Sequence, residues 1–206
     1  MPLARRPETR RAWPMCAAAL LLFVQCAMVQ RVHAQTAAPV SAASLACPAV
    51  LQHRFNRLQD GVPQDLCQFA GKVLLVVNTA SYCGFTNQYE GLERLNGQLG
   101  ARGLVVLGFP SNDFGQQEPG NAKQIADFCF NTYAVRFPMF AKSSVVGKDA
   151  NPLFLALARA SGKAPGWNFH KYVVDRMGRV VGGFAGEVQP EAPALLALLN
   201  KALAEK

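Results

Sequence analysis

The 206-residue sequence lacks several features that would place it in a common class of protein. Its longest apolar run, roughly 15 residues with Gln25 inside it, is shorter than the about 20 residues that cross a bilayer. Its cations are scattered rather than clustered, so a nucleic-acid-binding surface is not expected. No two cysteines are spaced as Cys-x-x-Cys or Cys-x-x-x-Cys, and His53 and His170 stand apart from any cysteine pair. A dithiol redox site and a metal site are therefore both disfavoured.

The first 34 residues have the pattern of an export signal. A basic stretch opens them, the apolar run follows, and Val32-His33-Ala34 places small residues at the positions that a signal peptidase reads. We expect residues 1–34 to be a cleaved signal peptide rather than a membrane anchor, and residues 35–46 to be a flexible leader. Residues 47–206 then form one domain, which is exported to the periplasm and has no stable membrane insertion after cleavage.

Removal of this segment changes the charge and the cysteine count. The whole chain has 21 basic and 13 acidic residues, and without the first 34 it has 16 and 12, a net charge of +4. Four of the six cysteines remain: Cys47, Cys67, Cys83 and Cys129. An even number of cysteines in a chain bound for an oxidising compartment indicates disulfides, with three possible pairings.

The apolar pattern of the remaining chain predicts an α/β domain. Continuous aliphatic and β-branched runs are typical of strands buried on both faces, and apolar spacings of three or four residues are typical of helices. Turn residues between 55 and 71 predict a hairpin. Strands are expected near 73–77, 104–109, 171–175 and 180–184, and helices near 89–99, 121–131, 152–160 (capped by Asn151) and 190–203. This order fits a thioredoxin-like sandwich, with a central mixed β-sheet flanked by helices and an N-terminal β-hairpin.

Cys83 lies where the chain leaves the first central strand, which is the usual ligand position of open α/β sheets. If a helix starts there, its free N–H groups and its dipole favour the thiolate, the species that attacks the O–O bond of a peroxide. The alternative is a buried, inert cysteine. Because Thr86 takes the second place of a Cys-x-x-Cys spacing, any partner thiol has to come from elsewhere in the chain.

Three segments, in matching order over roughly residues 55–203, resemble the signatures of the glutathione peroxidase family. They are Asn78–Leu95 (NTASYCGFTNQYEGLERL), Phe109–Gly120 (FPSNDFGQQEPG) and Trp167–Phe169 (WNF). The resemblance implies a thioredoxin-like fold and a peroxidase that reduces hydrogen peroxide and organic hydroperoxides without a cofactor or metal. Ser111 and Asp113 depart from the pattern of many members, which have Cys and Gln there.

By motif position, the resemblance assigns the active site to Cys83, Gln117, Trp167 and Asn168. Amide and indole N–H groups suit this task, because they hydrogen-bond a thiolate and orient a hydroperoxide without adding charge. A structural alternative is open for each neighbour of the cysteine: Gln117 as a helix cap, Trp167 as a core residue and Asn168 as a turn residue.

Cys129 matches the position of the resolving cysteine in thioredoxin-dependent members of the family. The implied cycle oxidises Cys83 to a sulfenic acid, closes a Cys83–Cys129 disulfide, and ends with reduction by a thioredoxin-like protein or glutathione. Because Cys129 is predicted to be helical, closing the disulfide requires that helix to unwind locally. The alternative for Cys129 is a buried helical cysteine. The short segment from Phe140 to Trp167 resembles that of monomeric members reduced by a thioredoxin-like protein.

Cys47 and Cys67 lie 20 positions apart and bracket the N-terminal hairpin. We expect them to form a structural disulfide, worth about 3 kcal/mol by loop closure, with two free thiols as the alternative. Two other functions compete with the peroxidase: an extracytoplasmic thiol–disulfide oxidoreductase and a redox-sensing binding module on the same fold.

Overall fold

The computed structural model describes residues 46–205, so the expectations for the signal peptide and for the leader up to residue 45 lie outside the described part of the chain. A two-stranded antiparallel hairpin comes first, formed by β1 (Arg54–Asn56) and β2 (Pro63–Asp65). The main sheet has the order β4-β3-β5-β6, with β3 (Val73–Thr79), β4 (Leu104–Pro110), β5 (Lys171–Val174) and β6 (Val180–Phe184). Because β3 runs parallel to β4 while β5 is antiparallel to both β3 and β6, the sheet is mixed.

Four helices cover the two faces of this sheet: α1 (Gln88–Leu99), α2 (Ala122–Tyr133), α3 (Pro152–Ser161) and α4 (Pro193–Ala204). Strand β3 separates them, because its alternate side chains point to opposite faces. Val73, Leu75 and Val77 share a buried cluster with residues of α1, α2 and α4. Leu74 and Val76 share another with residues of α3. Burial of both faces explains why the sequence of β3 is apolar without alternation.

This topology confirms the predicted thioredoxin-like sandwich with an N-terminal hairpin. Asn151 caps α3 as predicted, since its Oδ1 accepts the N–H of the third helical residue at 3.0 Å. The last helix begins later than predicted, at Pro193 rather than Pro190. A hydrogen-bonded turn from Gln189 to Ala192 precedes it, and a proline fits the first helical turn because its missing N–H leaves no bond unmade there.

A disulfide joins Cys47 to Cys67, as expected, with their Cα atoms 5.2 Å apart. It fixes the short 3-10 turn Ala49–Leu51, which opens the described domain, to a second 3-10 turn, Leu66–Phe69, which follows the hairpin. No helix between residues 46 and 205 is both long and apolar enough to cross a membrane.

Candidate active site

Cys83 lies in the turn that joins β3 to α1. Thr86 holds this turn: its hydroxyl accepts the Cys83 N–H at 3.0 Å, and its own N–H donates to the Cys83 carbonyl oxygen at 3.0 Å. The Cys83 sulfur accepts the Phe85 N–H at 3.4 Å. Because α1 begins only at Gln88, Cys83 lies before the helix rather than in its first turn, and a loop N–H takes the place expected of a helical one. Cys83 is half-buried.

Two amide side chains, Gln117 and Asn168, pair with each other beside this turn. Asn168 Nδ2 donates to Gln117 Oε1 at 2.9 Å and lies 3.5 Å from the Phe114 carbonyl oxygen. The Tyr82 N–H donates to the Gln117 carbonyl oxygen at 3.0 Å, which links the pair to the residue before Cys83. Because Asn168 occupies the side-chain oxygen of Gln117, the Gln117 amino group is the end left to meet a ligand.

Trp167 is 41 % exposed and packs on the Phe114 ring, with centroids 5.7 Å apart. Asn78, near the end of β3, holds the backbone of this loop on both sides. Its Nδ2 donates to the Trp167 carbonyl oxygen at 3.1 Å, and its own carbonyl oxygen accepts the Phe169 N–H at 2.7 Å. Phe169 adopts a left-handed φ of 61°, which is uncommon for a bulky residue. The Trp167–Asn168 loop is thus fixed against the strand that leads to Cys83.

A buried lysine supports the same loop from the interior. Lys171 is fully buried, and its Nζ donates to the carbonyl oxygens of Phe169 at 2.7 Å and Gly186 at 3.3 Å. Burial lowers the pKa of Lys171 to about 7. A Cβ atom at Gly186 would collide with the Asn168 carbonyl oxygen, so only glycine permits this close approach. Lys171 was not predicted as a site residue, because its one signal in the sequence is a charge that opens an otherwise apolar strand.

Cys129 is buried in α2 and is not bonded to Cys83. Burial raises the pKa of the Cys129 thiol to about 11. Helix α2 packs beside the Cys83 turn, where the Tyr82 ring stacks on the Phe128 ring with centroids 6.2 Å apart. Cys83 also packs against the apolar cluster that contains Cys129. The two free thiols therefore border one cluster, with Cys129 inside it.

Comparison with known proteins decides the family. The model of the glutathione peroxidase family matches residues 53–158, a segment that includes Cys83, Gln117 and Cys129. The chain belongs to the glutathione peroxidase family. It is 49 % identical over 145 residues to the hydroperoxy fatty acid reductase gpx1 of Synechocystis sp., over 64 % of this chain and 84 % of that protein. It is 46 % identical over 146 residues to the glutathione peroxidase-like peroxiredoxin GPX5 of Chlamydomonas reinhardtii, over 68 % of this chain and 90 % of that protein.

Solved structures of glutathione peroxidases share the fold. The crystal structure of Trgpx in apo form superposes with a TM-score of 0.61 at 34 % identity, covering 76 % of this chain and 95 % of that chain. The predicted family, fold and peroxidase activity are therefore confirmed. As a glutathione peroxidase, the protein is an oxidoreductase that acts on a hydroperoxide and takes its electrons from a thiol reductant.

In this glutathione peroxidase, the second signature also contributes a buried carboxyl that was not among the predicted site residues. Glu118, next to Gln117, is fully buried, and neither carboxyl oxygen has a hydrogen-bond partner among the described residues. Burial raises the pKa of Glu118 to about 7. Lys142 donates to the backbone carbonyls of Glu118 at 3.0 Å and Gly120 at 2.7 Å, so its ammonium group is used by the backbone. The one feature of the sequence that could have predicted Glu118 as a site residue is its position within the second signature.

The two departures from the family pattern have structural roles. The Asp113 carboxylate accepts the Ser144 hydroxyl at 2.9 Å and the N–H groups of Val145 at 2.6 Å and Val146 at 3.2 Å. Ser111 is buried, and its hydroxyl accepts the Asp113 N–H at 3.3 Å. Asp113 therefore anchors the loop at 144–146. Within residues 46–205, no three His, Cys, Asp or Glu side chains lie together as metal ligands would.

Proposed function

We propose that this glutathione peroxidase uses Cys83 to attack the hydroperoxide and Cys129 to resolve the product. One observation carries the proposal. The half-buried Cys83 sulfur accepts a backbone N–H, and its turn is hydrogen-bonded through Tyr82 to the Gln117–Asn168 amide pair. Hydrogen bonds to sulfur favour its ionised form, and neutral donors beside it suit a peroxide oxygen.

Peroxide cleavage needs a thiolate and donors for the leaving oxygen. As the S–O bond forms, the O–O bond breaks, and the displaced oxygen takes up a proton and leaves as water or an alcohol. Cys83 becomes a sulfenic acid. The Gln117 amino group and the Trp167 indole N–H are the donors we assign to the sulfur and the leaving oxygen, where developing charge makes such donors most effective. Asn168 sets the direction of the Gln117 amide.

Resolution then requires Cys129 to reach the oxidised sulfur. The Cys129 thiolate attacks the Cys83 sulfur, the S–S bond forms as the S–O bond breaks, and the oxygen leaves as water. Because Cys129 is buried in α2, that helix has to open locally before the disulfide can close. A disulfide between two protein thiols is a substrate for a dithiol protein, so we propose a thioredoxin-like reductant in preference to glutathione.

We also propose that the protein is exported and works as a monomer. The basic and apolar pattern of residues 1–34 supports export. The Cys47–Cys67 disulfide supports an oxidising compartment, because such bonds persist there and are rare in the cytosol. In the periplasm the reductant would be a periplasmic thioredoxin-like donor.

The test is to treat Cys129→Ser with one equivalent of hydrogen peroxide. We expect Cys83 to accumulate as a sulfenic acid, which a dimedone adduct at Cys83 detects by mass spectrometry, because the thiol that consumes it is missing. Cys83→Ser should not react with peroxide at a comparable rate. A Cys47→Ser/Cys67→Ser double variant is the control, and it should still form the Cys83–Cys129 disulfide. An unaltered disulfide at Cys83 in Cys129→Ser would overturn the assignment. Parallel reduction of the oxidised protein by thioredoxin and by glutathione decides the reductant.

A further inference from the structure

Lys171 places a buried ammonium group behind the Trp167–Asn168 loop. It is the first residue of β5, it pairs with Val77 of β3 and Phe184 of β6, and it is fully buried. Alternate residues of a strand share a face, so its side chain lies on the same side of β5 as Val173, which packs in the cluster beneath α1, α2 and α4. The ammonium group therefore lies inside the domain rather than in solvent.

Both acceptors of this ammonium group are backbone carbonyl oxygens, at 2.7 Å for Phe169 and 3.3 Å for Gly186. Neither carries a full negative charge that would offset the lost hydration of the cation. Burying an ammonium group without a carboxylate partner is costly, and an apolar side chain of similar length would avoid that cost. The two bonds therefore indicate a role for Lys171 other than stabilising the fold.

The bond to Phe169 holds one end of the loop. Phe169 directly follows Asn168 and adopts a left-handed φ of 61°, a conformation that is unfavourable for a bulky side chain. Its N–H donates to the Asn78 carbonyl oxygen at 2.7 Å and its carbonyl oxygen accepts the Lys171 ammonium group, so both of its backbone polar groups are bonded. These bonds offset the cost of the conformation of Phe169, which sets the path of the chain through Asn168.

The bond to Gly186 links the loop to the Cys83 turn. The Gly186 carbonyl oxygen also accepts Gln88 Nε2, at 2.7 Å. Gln88, the first residue of α1, donates its N–H to the Phe85 carbonyl oxygen at 2.9 Å, and the Phe85 N–H bonds the Cys83 sulfur at 3.4 Å. Lys171 is therefore a point at which hydrogen bonds join the loop that provides donors to the turn that provides the thiol.

We infer that Lys171 is a positioning residue for the attack of Cys83 on the peroxide, because its ammonium group sets the place of the Trp167–Asn168 loop relative to the thiol. The inference rests on the proposed roles of Trp167 and Asn168. Lys171 acts through the backbone of Phe169 and Gly186, and it exchanges no proton or electron with the substrate. Misplacing groups of an active site by about 1 Å is enough to slow a reaction about 100-fold.

Lys171→Met tests the inference, because it keeps a long unbranched side chain and removes the N–H donors. We expect the second-order rate constant for oxidation of Cys83 by hydrogen peroxide to fall by about 100-fold, measured as loss of the free thiol after rapid mixing and acid quenching. Alkylation of Cys83 by iodoacetamide should keep its rate. That reaction depends on the thiolate and on its bond from Phe85, but on none of the donors of the Trp167–Asn168 loop.

Tryptophan fluorescence gives a second readout, in a Trp13→Phe background that leaves Trp167 as the one tryptophan of the sequence. In Lys171→Met the emission of Trp167 should shift to the red and be quenched more strongly by acrylamide, because the released loop withdraws the indole from the Phe114 ring. Lys171→Gln keeps an N–H donor and should lie between the wild type and Lys171→Met in both readouts. It provides the same comparison should Lys171→Met fail to fold.

Lys72→Met is the matched control. Lys72 is exposed and precedes β3, at the opposite end of that strand from the Cys83 turn, so removing its charge should change neither rate. Oxidation of Lys171→Met as fast as the wild type overturns the inference, and so does an equal loss of both rates or an unchanged emission of Trp167. A wild type whose Cys83 does not react with peroxide would instead overturn the proposed function itself, so the two failures are distinguishable.

Discussion

At the scale of single residues, the Gln117–Asn168 pair shows how one hydrogen bond sets the direction of another. Asn168 donates to Gln117 Oε1 at 2.9 Å, so the amino group is the end of the Gln117 amide that remains to bind a ligand. A Gln117 amide rotated by half a turn would present an oxygen, which repels a thiolate and gives no hydrogen bond to a leaving oxygen. Asn168 is therefore a positioning residue for Gln117.

Asn168→Asp tests this positioning with little change of shape. The new carboxylate can only accept, so the Gln117 amide should turn its amino group inward and withdraw it from the site. We expect the second-order rate constant for Cys83 oxidation to fall by about 100-fold, the effect of losing one well-placed donor. Stopped-flow tryptophan fluorescence after mixing with hydrogen peroxide measures it. Asn200→Asp adds the same charge on the exposed side of α4 and should react normally, and equal rates in both variants would contradict the role of Asn168.

Motif position predicts the polar residues of the candidate active site, but it does not predict the buried charged residues beside them. Cys83, Gln117, Trp167 and Asn168 lie in segments whose spacing is distinctive, and the fold brings the segments together at the end of β3. Their roles remain predictions until the variants are measured. Glu118 and Lys171 are not predicted as site residues, because a charged residue is normally expected to be exposed to solvent. Only the packing shows that both are buried.

At the scale of elements, hydrogen bonds cap both ends of α2. At its N-terminus, the Gln124 N–H donates to Asn121 Oδ1 at 3.0 Å and the Asn121 N–H donates to Gln124 Oε1 at 2.9 Å, a capping box. At its C-terminus, the Ala134 N–H bonds the Cys129 carbonyl, and Val135 does so at 3.2 Å. Ala134 adopts a left-handed φ of 52°, where glycine would fit better. The helix that contains Cys129 thus has a strong cap at one end and a strained one at the other.

Asn121→Ala should speed the resolving step. Loss of the cap destabilises α2 by about 1 kcal/mol, and if Cys129 is reached by opening α2, the open population and the rate of disulfide formation rise about fivefold. Quenched-flow alkylation after a peroxide pulse measures that rate. Asn151→Ala removes the equivalent cap from α3, on the other face of the sheet, and should lower stability without changing the rate. A rate in Asn121→Ala that is unchanged or lower would argue against local opening.

The order of the elements and most of their ends could be predicted from the sequence, whereas the start of α4 could not. Strand β3 is apolar throughout because both of its faces are buried. The helices have apolar residues three or four positions apart because each buries one face, so both patterns can be recognised in the sequence. The ends depend on single hydrogen bonds. Thr86 delays α1 until Gln88 by closing a turn on Cys83, and the turn before Pro193 delays α4. Cys83 is therefore served by a loop N–H, from Phe85, that helical periodicity does not reveal.

At the scale of the whole molecule, two buried ionisable groups give stability opposite dependences on pH. The pKa of Glu118 is raised from 4.5 to about 7, so the folded state binds that proton more readily than the unfolded state, and stability falls as pH rises across this window. The pKa of Lys171 is lowered from 10.5 to about 7, so the unfolded state binds its proton more readily, and stability rises as pH rises from about 7 to 10.5. Burial also lowers the pKa of His170 from 6.5 to about 4, which gives a dependence of the opposite sign within the Glu118 window, so the contribution of Glu118 has to be measured as a difference between a variant and the wild type.

Glu118→Gln should remove the first of these dependences. At pH 4.5 both the protonated carboxyl and the amide are neutral, so the variant and the wild type should differ little in their free energy of unfolding. At pH 8 the wild type holds an ionised carboxyl in the core, and the variant should gain roughly 3 kcal/mol over it, the free energy equivalent of the raised pKa. Urea denaturation at a series of pH values measures the difference. Glu191→Gln serves as the control, because Glu191 is an exposed glutamate paired with Arg94, which lowers its pKa, so any effect of that carboxyl has the opposite sign. A stability difference between Glu118→Gln and the wild type that is constant from pH 4.5 to 8 would show that the pKa of Glu118 is the same in the folded and unfolded protein, which would contradict a pKa raised by burial.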